Sequence, residues 1–163
     1  MSKSIVVLLL LALIGACSKS SPAPKGIARF EEVRSLAESF VFHGDSEAIR
    51  EHTDFGGLTP DEARKVRAML DDWHGIPGHL KHIETQVMTF NEYEALRRED
   101  KKDLSEDMRT ALLSSVRWNV RPEKVVVFTF ASKDPKDAGT KVRWAAGAYQ
   151  NNGLWIFAAS FNQ

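Results

Sequence analysis

The chain has little cysteine, no excess charge of either sign and no hydrophobic run long enough to span a membrane. Cys17 is the one cysteine among 163 residues, so no disulfide can form within the chain and packing must stabilise the fold. The 22 basic residues balance the 22 acidic residues, and no polybasic block indicates a nucleic-acid partner. We therefore expect one packed domain that binds no nucleic acid.

The chain also lacks the short motifs that are typical of common catalytic sites. It contains no glycine-rich phosphate loop, no Gly-x-Ser-x-Gly elbow and no His-Glu-x-x-His sequence. Ser39, Ser114 and Ser115 have no identifiable base nearby in the sequence. No cofactor is predicted, and a non-catalytic role is favoured, although the sequence leaves open whether the protein is an enzyme.

The N-terminal segment has the layout of a secretory signal. Lys3 precedes an uninterrupted stretch of apolar or small residues, 5–16, and this order of charge, apolar core and small residues is typical of exported proteins. As a helix the stretch would span roughly 18 Å, against a hydrocarbon core of about 30 Å, so a permanent transmembrane helix is disfavoured. The segment therefore predicts export.

The end of this segment, residues 13–17, reads Leu-Ile-Gly-Ala-Cys and resembles the lipobox of bacterial lipoprotein precursors. The resemblance implies cleavage before Cys17, a diacylglycerol on its sulfur and acylation of its new amine. Because Ser18 rather than an aspartate follows, it also favours the outer membrane, facing the periplasm, in a cell that has one, with retention at the inner membrane as the alternative. The alternative is an ordinary signal peptide with a chance cysteine.

The rest of the chain is divided by composition into two parts. Residues 17–26 contain Pro22, Pro24 and several serines, which predicts a short lipidated tether. Residues 27–163 have a normal length for one domain with one core. The predicted organisation is therefore a signal peptide at 1–16, a tether at 17–26 and a single domain at 27–163.

Helical patterns and caps fill much of the first two thirds of this domain. Apolar residues spaced three and four apart from Ile27 to Val41 predict a helix that Gly44 ends. Asp45 can cap a second helix that extends to Gly56-Gly57. Thr59, Pro60 and Glu62 form a capping-box pattern that begins a third.

A charged region follows at 91–115. Asn91 with Glu94 predicts the cap of a fourth helix, and Ser105 predicts the cap of a fifth. Between them, residues 97–103 are all charged. Such a run is typical of a solvated helix face or loop.

Strand patterns occupy residues 80–90 and most of the last third. Alternation at 116–120 predicts a half-buried strand, and the apolar stretch 125–131 predicts a strand that is covered on both faces. Asn152-Gly153 predicts a type I′ turn, which would place Tyr149 opposite Ile156, Ala148 opposite Phe157, Ala146 opposite Ala159, and Trp144 opposite Phe161. The predicted core face is Val142, Trp144, Ala146, Ala148, Trp155, Phe157, Ala159 and Phe161, and the other face holds Lys141, Arg143, Tyr149, Leu154 and Ile156.

This order of helices followed by a meander predicts an α+β domain in which helices pack on a curled antiparallel sheet. Residues 27–163 resemble, in element order and in the C-terminal hairpin, the cone-shaped nuclear-transport-factor-2-like superfamily. The resemblance implies a pocket in the cone that serves catalysis in some members and binding or dimerisation in others. The fold class by itself does not choose among these functions.

Several polar residues are candidates for chemistry. His74, His79 and His82 follow Asp71 and Asp72, but their spacing matches no known zinc motif, so no metal is predicted and surface histidines are favoured. Acid–base catalysis in a pocket would draw on the following candidates: His43, Glu84 and Tyr93. Trp118 beside Arg117 and Arg121 could form an exposed stacking site, and Tyr149, Leu154 and Ile156 could form an interface.

The predicted function is that of an envelope lipoprotein, attached to the membrane by lipid on Cys17, whose domain binds a small ligand or an envelope protein without catalysis. One alternative is a small-molecule enzyme that uses a pocket in the cone. Another is a structural subunit of an envelope assembly.

Overall fold

The computed structural model describes residues 23–137, 139 and 141–162. Cys17 and the predicted signal peptide lie outside the described residues, as does most of the tether. The helices are α1 (Phe30–His43), α2 (Ser46–Glu51), α3 (Pro60–Asp71), α4 (Phe90–Glu99) and α5 (Glu106–Ser114), with a 3₁₀ turn at Pro135–Asp137. The strands are β1 (Thr53–Asp54), β2 (Leu80–Thr89), β3 (Val116–Trp118), β4 (Lys124–Ser132), β5 (Lys141–Asn151), β6 (Leu154–Ala158) and β7 (Ser160–Asn162).

The domain has the α+β architecture that the sequence predicts, but its sheet differs from the predicted one. Five strands form an open sheet in the order β1-β6-β5-β4-β2, while β3 and β7 form a separate two-stranded sheet. β1 runs parallel to β6, so the sheet is mixed rather than purely antiparallel. It is neither closed nor strongly curled, so the predicted cone is not confirmed.

The main core lies between the inner face of the sheet and the helices α1 to α3. Helix α1 buries Val33, Ala37, Phe40 and Val41, the three-and-four spacing of one helical face. Gly44 ends α1 in the left-handed region at φ 73°, and its N–H donates to Phe40 O, as predicted. Alternate residues of β4, β5 and β6 meet this helical face, and they are Val126, Phe128, Phe130, Ala146, Ala148, Trp155 and Phe157.

A smaller cluster covers the outer face of the sheet. Val125 and Val127 of β4 are fully buried there against Tyr93 of α4. Trp118 packs on the same cluster, so β4 is covered on both faces, as its continuous apolar sequence predicts. Helix α4 therefore packs on the face of the sheet opposite α1. The residues between α4 and β5 lie on this outer face, apart from the main core.

The capping predictions have mixed outcomes. Thr59 accepts from Glu62 N in a complete capping box, and Ser105 caps α5, both as predicted. The cap of α4 is Thr89, not Asn91, because Thr89 and Glu92 complete a second capping box of the same T-x-x-E form. Asp45 occupies the N-cap position of α2 without a side-chain cap bond, and α2 ends at Glu51 rather than at Gly56-Gly57.

The hairpin register is confirmed next to the turn and wrong beyond it. Ala148 pairs with Phe157 and Tyr149 pairs with Ile156, but the predicted pairs Ala146 with Ala159 and Trp144 with Phe161 do not form, because the chain leaves β5 after Ala158. Asn119 causes this departure, since its Oδ1 accepts from Ala159 N at 2.9 Å and its N–H donates to Ala159 O at 3.0 Å. β7 then pairs with β3 instead.

Two residues of the hairpin have a different environment from the predicted one. Val142 was expected on the core face but is 43% exposed, and Ile156 was expected on an open face but is 5% exposed. None of the helices within residues 23–137, 139 and 141–162 has the length and the apolar surface needed to cross a membrane.

Candidate ligand-binding site

An open cavity of about 650 Å³ lies on the outer face of the sheet. It is bounded by α4, by the junction of α5 with β3, and by the first half of β5. Its lining includes apolar and cationic side chains together with one carboxylate, contributed by Tyr93, Leu96, Arg97, Asp100, Lys101, Leu112, Ser115, Val116, Gly139, Lys141, Arg143 and Ala145.

Helix α4 positions one wall of the cavity. Tyr93, Leu96, Arg97 and Asp100 recur at the three-and-four spacing that places side chains on one helical face. Tyr93 is anchored in the outer cluster beside Val125 and Val127. Because this anchor fixes the rotation of the helix, the polar residues one turn further along face the same space as Tyr93.

Arg97 joins α4 to α5. Its side chain is among the few buried charged groups, with 8% of the residue exposed. Its Nη2 donates to Leu112 O at 3.3 Å and to Leu113 O at 3.1 Å, while Nη1 donates to Glu94 at 2.9 Å. The last carbonyls of a helix have no intrahelical partner, so Arg97 stabilises the end of α5.

The burial of Arg97 corrects the prediction that residues 97–103 form a solvated face. The guanidinium also lies 5.8 Å from the centre of the Tyr93 ring, a favourable arrangement for a cation and an aromatic face. Arg98, Glu99 and Lys102 of the same run are exposed, as predicted. A charged run thus contains one residue that is essential to the packing of the helix.

Arg143 of β5 forms the opposite wall. Its Nη1 forms an ion pair with Asp100 at the end of α4, which links the helix to the sheet. Its Nε is buried, and no residue in the described part of the chain accepts a hydrogen bond from it. A buried donor without an acceptor costs about 1–3 kcal/mol, so the guanidinium is only partly satisfied by the protein.

The cavity contains more positive than negative charge. Its cationic side chains are Arg97, Lys101, Lys141 and Arg143, and its carboxylate is Asp100. Tyr93, Leu96, Leu112 and Val116 supply apolar or aromatic surface. Such a mixture of apolar wall and convergent donors is typical of sites that bind small molecules.

The three acid–base candidates are not brought together. Tyr93 lines the cavity, and burial raises the pKa of its phenol above the ordinary value, so the hydroxyl stays protonated at neutral pH. Glu84 lies on β2, where it accepts from Gln86 at 3.3 Å, and His43 ends α1. Neither Glu84 nor His43 contributes to the lining of the cavity.

The histidines that the sequence singled out do not form a metal site. His82 packs against Phe42 and Phe130 at ring distances of 5.0 and 5.6 Å, and it contacts Thr85 Oγ1 at 3.0 Å. Within the part of the chain that the structure describes, no group of three potential ligands could hold a metal ion. His82 is therefore an exposed residue whose ring lies against Phe42 and Phe130 at the edge of the main core.

Trp118 is not the exposed stacking platform that the sequence suggested. It is partly buried against Phe90 and Tyr93, with ring distances of 6.5 and 6.4 Å. Arg121 lies over Phe90 instead, at 4.9 Å, and Arg117 lies over Phe161 at 5.6 Å. The arginines therefore stack on phenylalanines, and Trp118 packs within the outer cluster.

The predicted interface around Tyr149, Leu154 and Ile156 is also not continuous. Ile156 is buried, Leu154 is 43% exposed, and Tyr149 donates to Asp54 Oδ2 at 2.7 Å. With one of its three members buried, this set offers less apolar surface than predicted. Leu154 instead packs close to Gly26, where an added Cβ would lie 2.5 Å from Leu154 Cδ1.

Arg97 and Arg143 are the site residues that the sequence interpretation missed. Arg97 lies four residues after Tyr93, which was already a candidate, so helical spacing could have placed both on one face. Arg143 was assigned correctly to the face of β5 opposite the main core, but nothing local in the sequence indicates that α4 covers that face.

No family model, curated protein or solved structure matches this chain. The function is therefore inferred from the chemistry of the cavity and from the N-terminal segment.

Proposed function

We propose that the protein is an exported lipoprotein, attached to the cell envelope through lipid on Cys17, whose folded domain binds a small molecule without transforming it. The proposal that the domain binds a small molecule rests on the open cavity of about 650 Å³ with convergent donors. Its volume falls within the range of about 300–1,000 Å³ that is typical of ligand pockets.

The chemistry of the lining favours binding over catalysis. A guanidinium and an ammonium are donors without an acceptor, and arginine does not lose its proton in proteins. Asp100, the lining carboxylate, is engaged by Arg143, and the phenol of Tyr93 is held protonated by burial. These groups can orient a ligand, but none of them is prepared to take a proton from it.

The N-terminal segment supports the anchored location. The Leu-Ile-Gly-Ala-Cys sequence resembles a lipobox, and a thiolate can form a stable thioether with lipid. Each buried methylene of an acyl chain adds about 0.8 kcal/mol to membrane binding, so several chains on one residue give a durable attachment. We place the domain at the outer membrane, facing the periplasm, in a cell that has one.

The anchor is tested by Cys17→Ser in the full chain. We expect the variant to lose labelling by a palmitate analogue and to accumulate as a precursor that still carries residues 1–16. The wild-type chain should be labelled and shortened. Unchanged labelling of Cys17→Ser would overturn the lipoprotein assignment.

The binding site is tested by filling the cavity. Ala145→Trp on the floor should abolish binding of any small molecule that the wild-type protein binds, as measured by calorimetry on the processed protein in detergent. Ala68→Trp on the exposed face of α3 is the matched control and should bind normally. Equal binding by both variants would place the ligand elsewhere.

A further inference from the structure

The cavity on the outer face of the sheet has more cationic than acidic side chains, and one of its walls is apolar. These two features indicate the class of ligand that it binds. We propose that it binds a small amphiphilic anion, a carboxylate that bears a short apolar chain. This inference rests on the proposed binding function and specifies the ligand.

Arg143 provides the first argument. Among the described residues, Asp100 forms an ion pair with Nη1 of Arg143, and Nε has no acceptor. About a fifth of the Arg143 side chain remains exposed, so a ligand can reach the guanidinium from the cavity. Because Nε itself is buried, a carboxylate in the cavity would bind the exposed part of the guanidinium through charge-assisted hydrogen bonds.

The lysines provide the second argument. Lys141 lies two residues before Arg143 on β5, on the same face of the strand, and has no ion pair among the described residues. The Lys101 ammonium donates one long hydrogen bond, to Arg97 O at 3.5 Å, and has no ion pair in the described part of the chain. Both ammonium groups can therefore approach an anion in the cavity, and their charges add to that of Arg143.

A second cavity shows that an open, charged surface does not necessarily contain cationic groups without ion pairs. It has a volume of about 530 Å³ and lies beside the first described residues. There Lys25 binds Glu51 at 2.6 Å and Arg50 binds Asp71 at 2.9 Å, and Glu47 adds a further carboxylate. Lys25 and Arg50 of that cavity are thus paired with carboxylates, whereas Lys101 and Lys141 of the cavity at Arg143 have no ion pair among the described residues.

The apolar wall indicates that the ligand also has an apolar part. Leu96, Leu112 and Val116 line the cavity, and Leu112 is 43% exposed. A short alkyl chain would cover this surface while the carboxylate remains beside Arg143, since burial of apolar surface is favourable. A simple inorganic anion would leave the wall exposed, and an uncharged hydrocarbon would leave the cations unpaired.

Three probes of equal chain length test the proposal: hexanoate, 1-hexanol and hexylammonium. With the processed wild-type protein in detergent, we expect calorimetry to give at least tenfold tighter binding of hexanoate than of either other probe. Raising the ionic strength from 0.01 to 1 M shortens the Debye length from about 30 to 3 Å, so hexanoate binding should weaken several-fold and hexanol binding should not change.

Variants that remove one positive charge test whether hexanoate binds beside Arg143 and Lys141. Arg143→Gln should weaken hexanoate binding about tenfold and leave hexanol binding unchanged. Lys141→Gln should weaken hexanoate binding several-fold. Because Lys141 is exposed, this variant can test the proposal even if Arg143→Gln does not fold. Arg64→Gln removes the same charge from the exposed surface of α3, where Arg64 pairs with Asp61, and should have no effect.

The possible outcomes distinguish a failure of the anion assignment from a failure of the proposed binding function. If hexanol or hexylammonium binds as tightly as hexanoate and Ala145→Trp abolishes this binding, the site is real and the anion assignment is wrong. If Lys141→Gln and Arg64→Gln affect hexanoate equally, the anion assignment is also wrong. If none of the three probes binds, the ligand class is wrong, whereas the proposed binding function is overturned only if no small molecule binds the wild-type protein more tightly than Ala145→Trp.

Discussion

Tyr149 Oη donates to Asp54 Oδ2 at 2.7 Å and thereby joins β5 to the short strand β1 across the intervening strand β6. Asp54 Oδ1 accepts from Gly56 N at 2.7 Å as well, so this carboxylate also fixes the turn that follows β1. The pair connects residues that are 95 positions apart in the chain.

Removal of this bond should destabilise the domain. Tyr149→Phe keeps the ring and loses the donor, and we expect a fall of about 1 kcal/mol in the free energy of unfolding at pH 7, measured by urea denaturation. Tyr93→Phe is the control, because no hydrogen bond of the Tyr93 hydroxyl is found among the described residues, and should change stability less. An equal effect of both variants would contradict a role for the bond.

The same pair predicts a pH dependence. Burial and the bond to Asp54 raise the pKa of Tyr149 above its ordinary value, so the folded state retains a proton that the unfolded state loses above about pH 10. The stabilisation is complete below the unfolded pKa and is lost as pH rises through the folded pKa. Wild-type stability should therefore fall above pH 10, and Tyr149→Phe should show a smaller fall.

The two capping boxes should make separate and similar contributions. Thr59→Ala and Thr89→Ala each remove a side-chain acceptor at a helix start, and each should cost about 1 kcal/mol, measured by thermal or urea unfolding. Thr110→Ala, inside α5, lacks a cap role and is the control, with a change near zero. If Thr110→Ala matched the others, the loss would not come from capping.

A prediction at Arg97 concerns local rather than global stability. Arg97→Met removes the donors to Leu112 O and Leu113 O, so amide hydrogen exchange in α5 should accelerate, with a cost of about 2 kcal/mol to local opening. Arg98→Met changes an exposed neighbour on the same helix and should leave α5 protected. Unchanged exchange in Arg97→Met would show that α5 is held by other contacts.

Gly147 is required by close packing on the outer face. A Cβ at this position would lie 2.5 Å from Pro122 Cγ and 2.7 Å from Trp118 Cζ3. Gly147→Ala should therefore destabilise by about 1–3 kcal/mol, measured by urea denaturation. At Gly78 an added Cβ meets nothing within 4 Å, so Gly78→Ala should be tolerated, and a similar loss in both variants would disprove the steric explanation.

Features that depend on neighbouring residues could be predicted from the sequence. The capping box at Thr59, the end of α1 at Gly44 and the register beside Asn152-Gly153 each need only a few consecutive residues. The cap at Thr89 was equally readable, because it repeats the T-x-x-E pattern of Thr59, but the Asn91 and Glu94 pattern competed with it.

Features that depend on distant contacts could not be predicted. Asn119 draws Ala159 away from the hairpin through two hydrogen bonds, and no local pattern marks that partnership. Arg97 is buried because the carbonyls of α5 need donors, a requirement that arises only when α5 packs against α4. The cavity results from the same packing, so its walls were visible in the sequence only as separate segments.

The parallel pairing of β1 with β6 has a consequence for the order in which the chain can fold. Thr53 and Phe157 are neighbours in the sheet although about 100 residues separate them, and β6 and β5 lie between β1 and β4. During synthesis, β1 has no partner in the described sheet until β6 has left the ribosome. Contacts of such long range slow folding, so β1 remains unpaired while the roughly 100 residues between the two strands are synthesised.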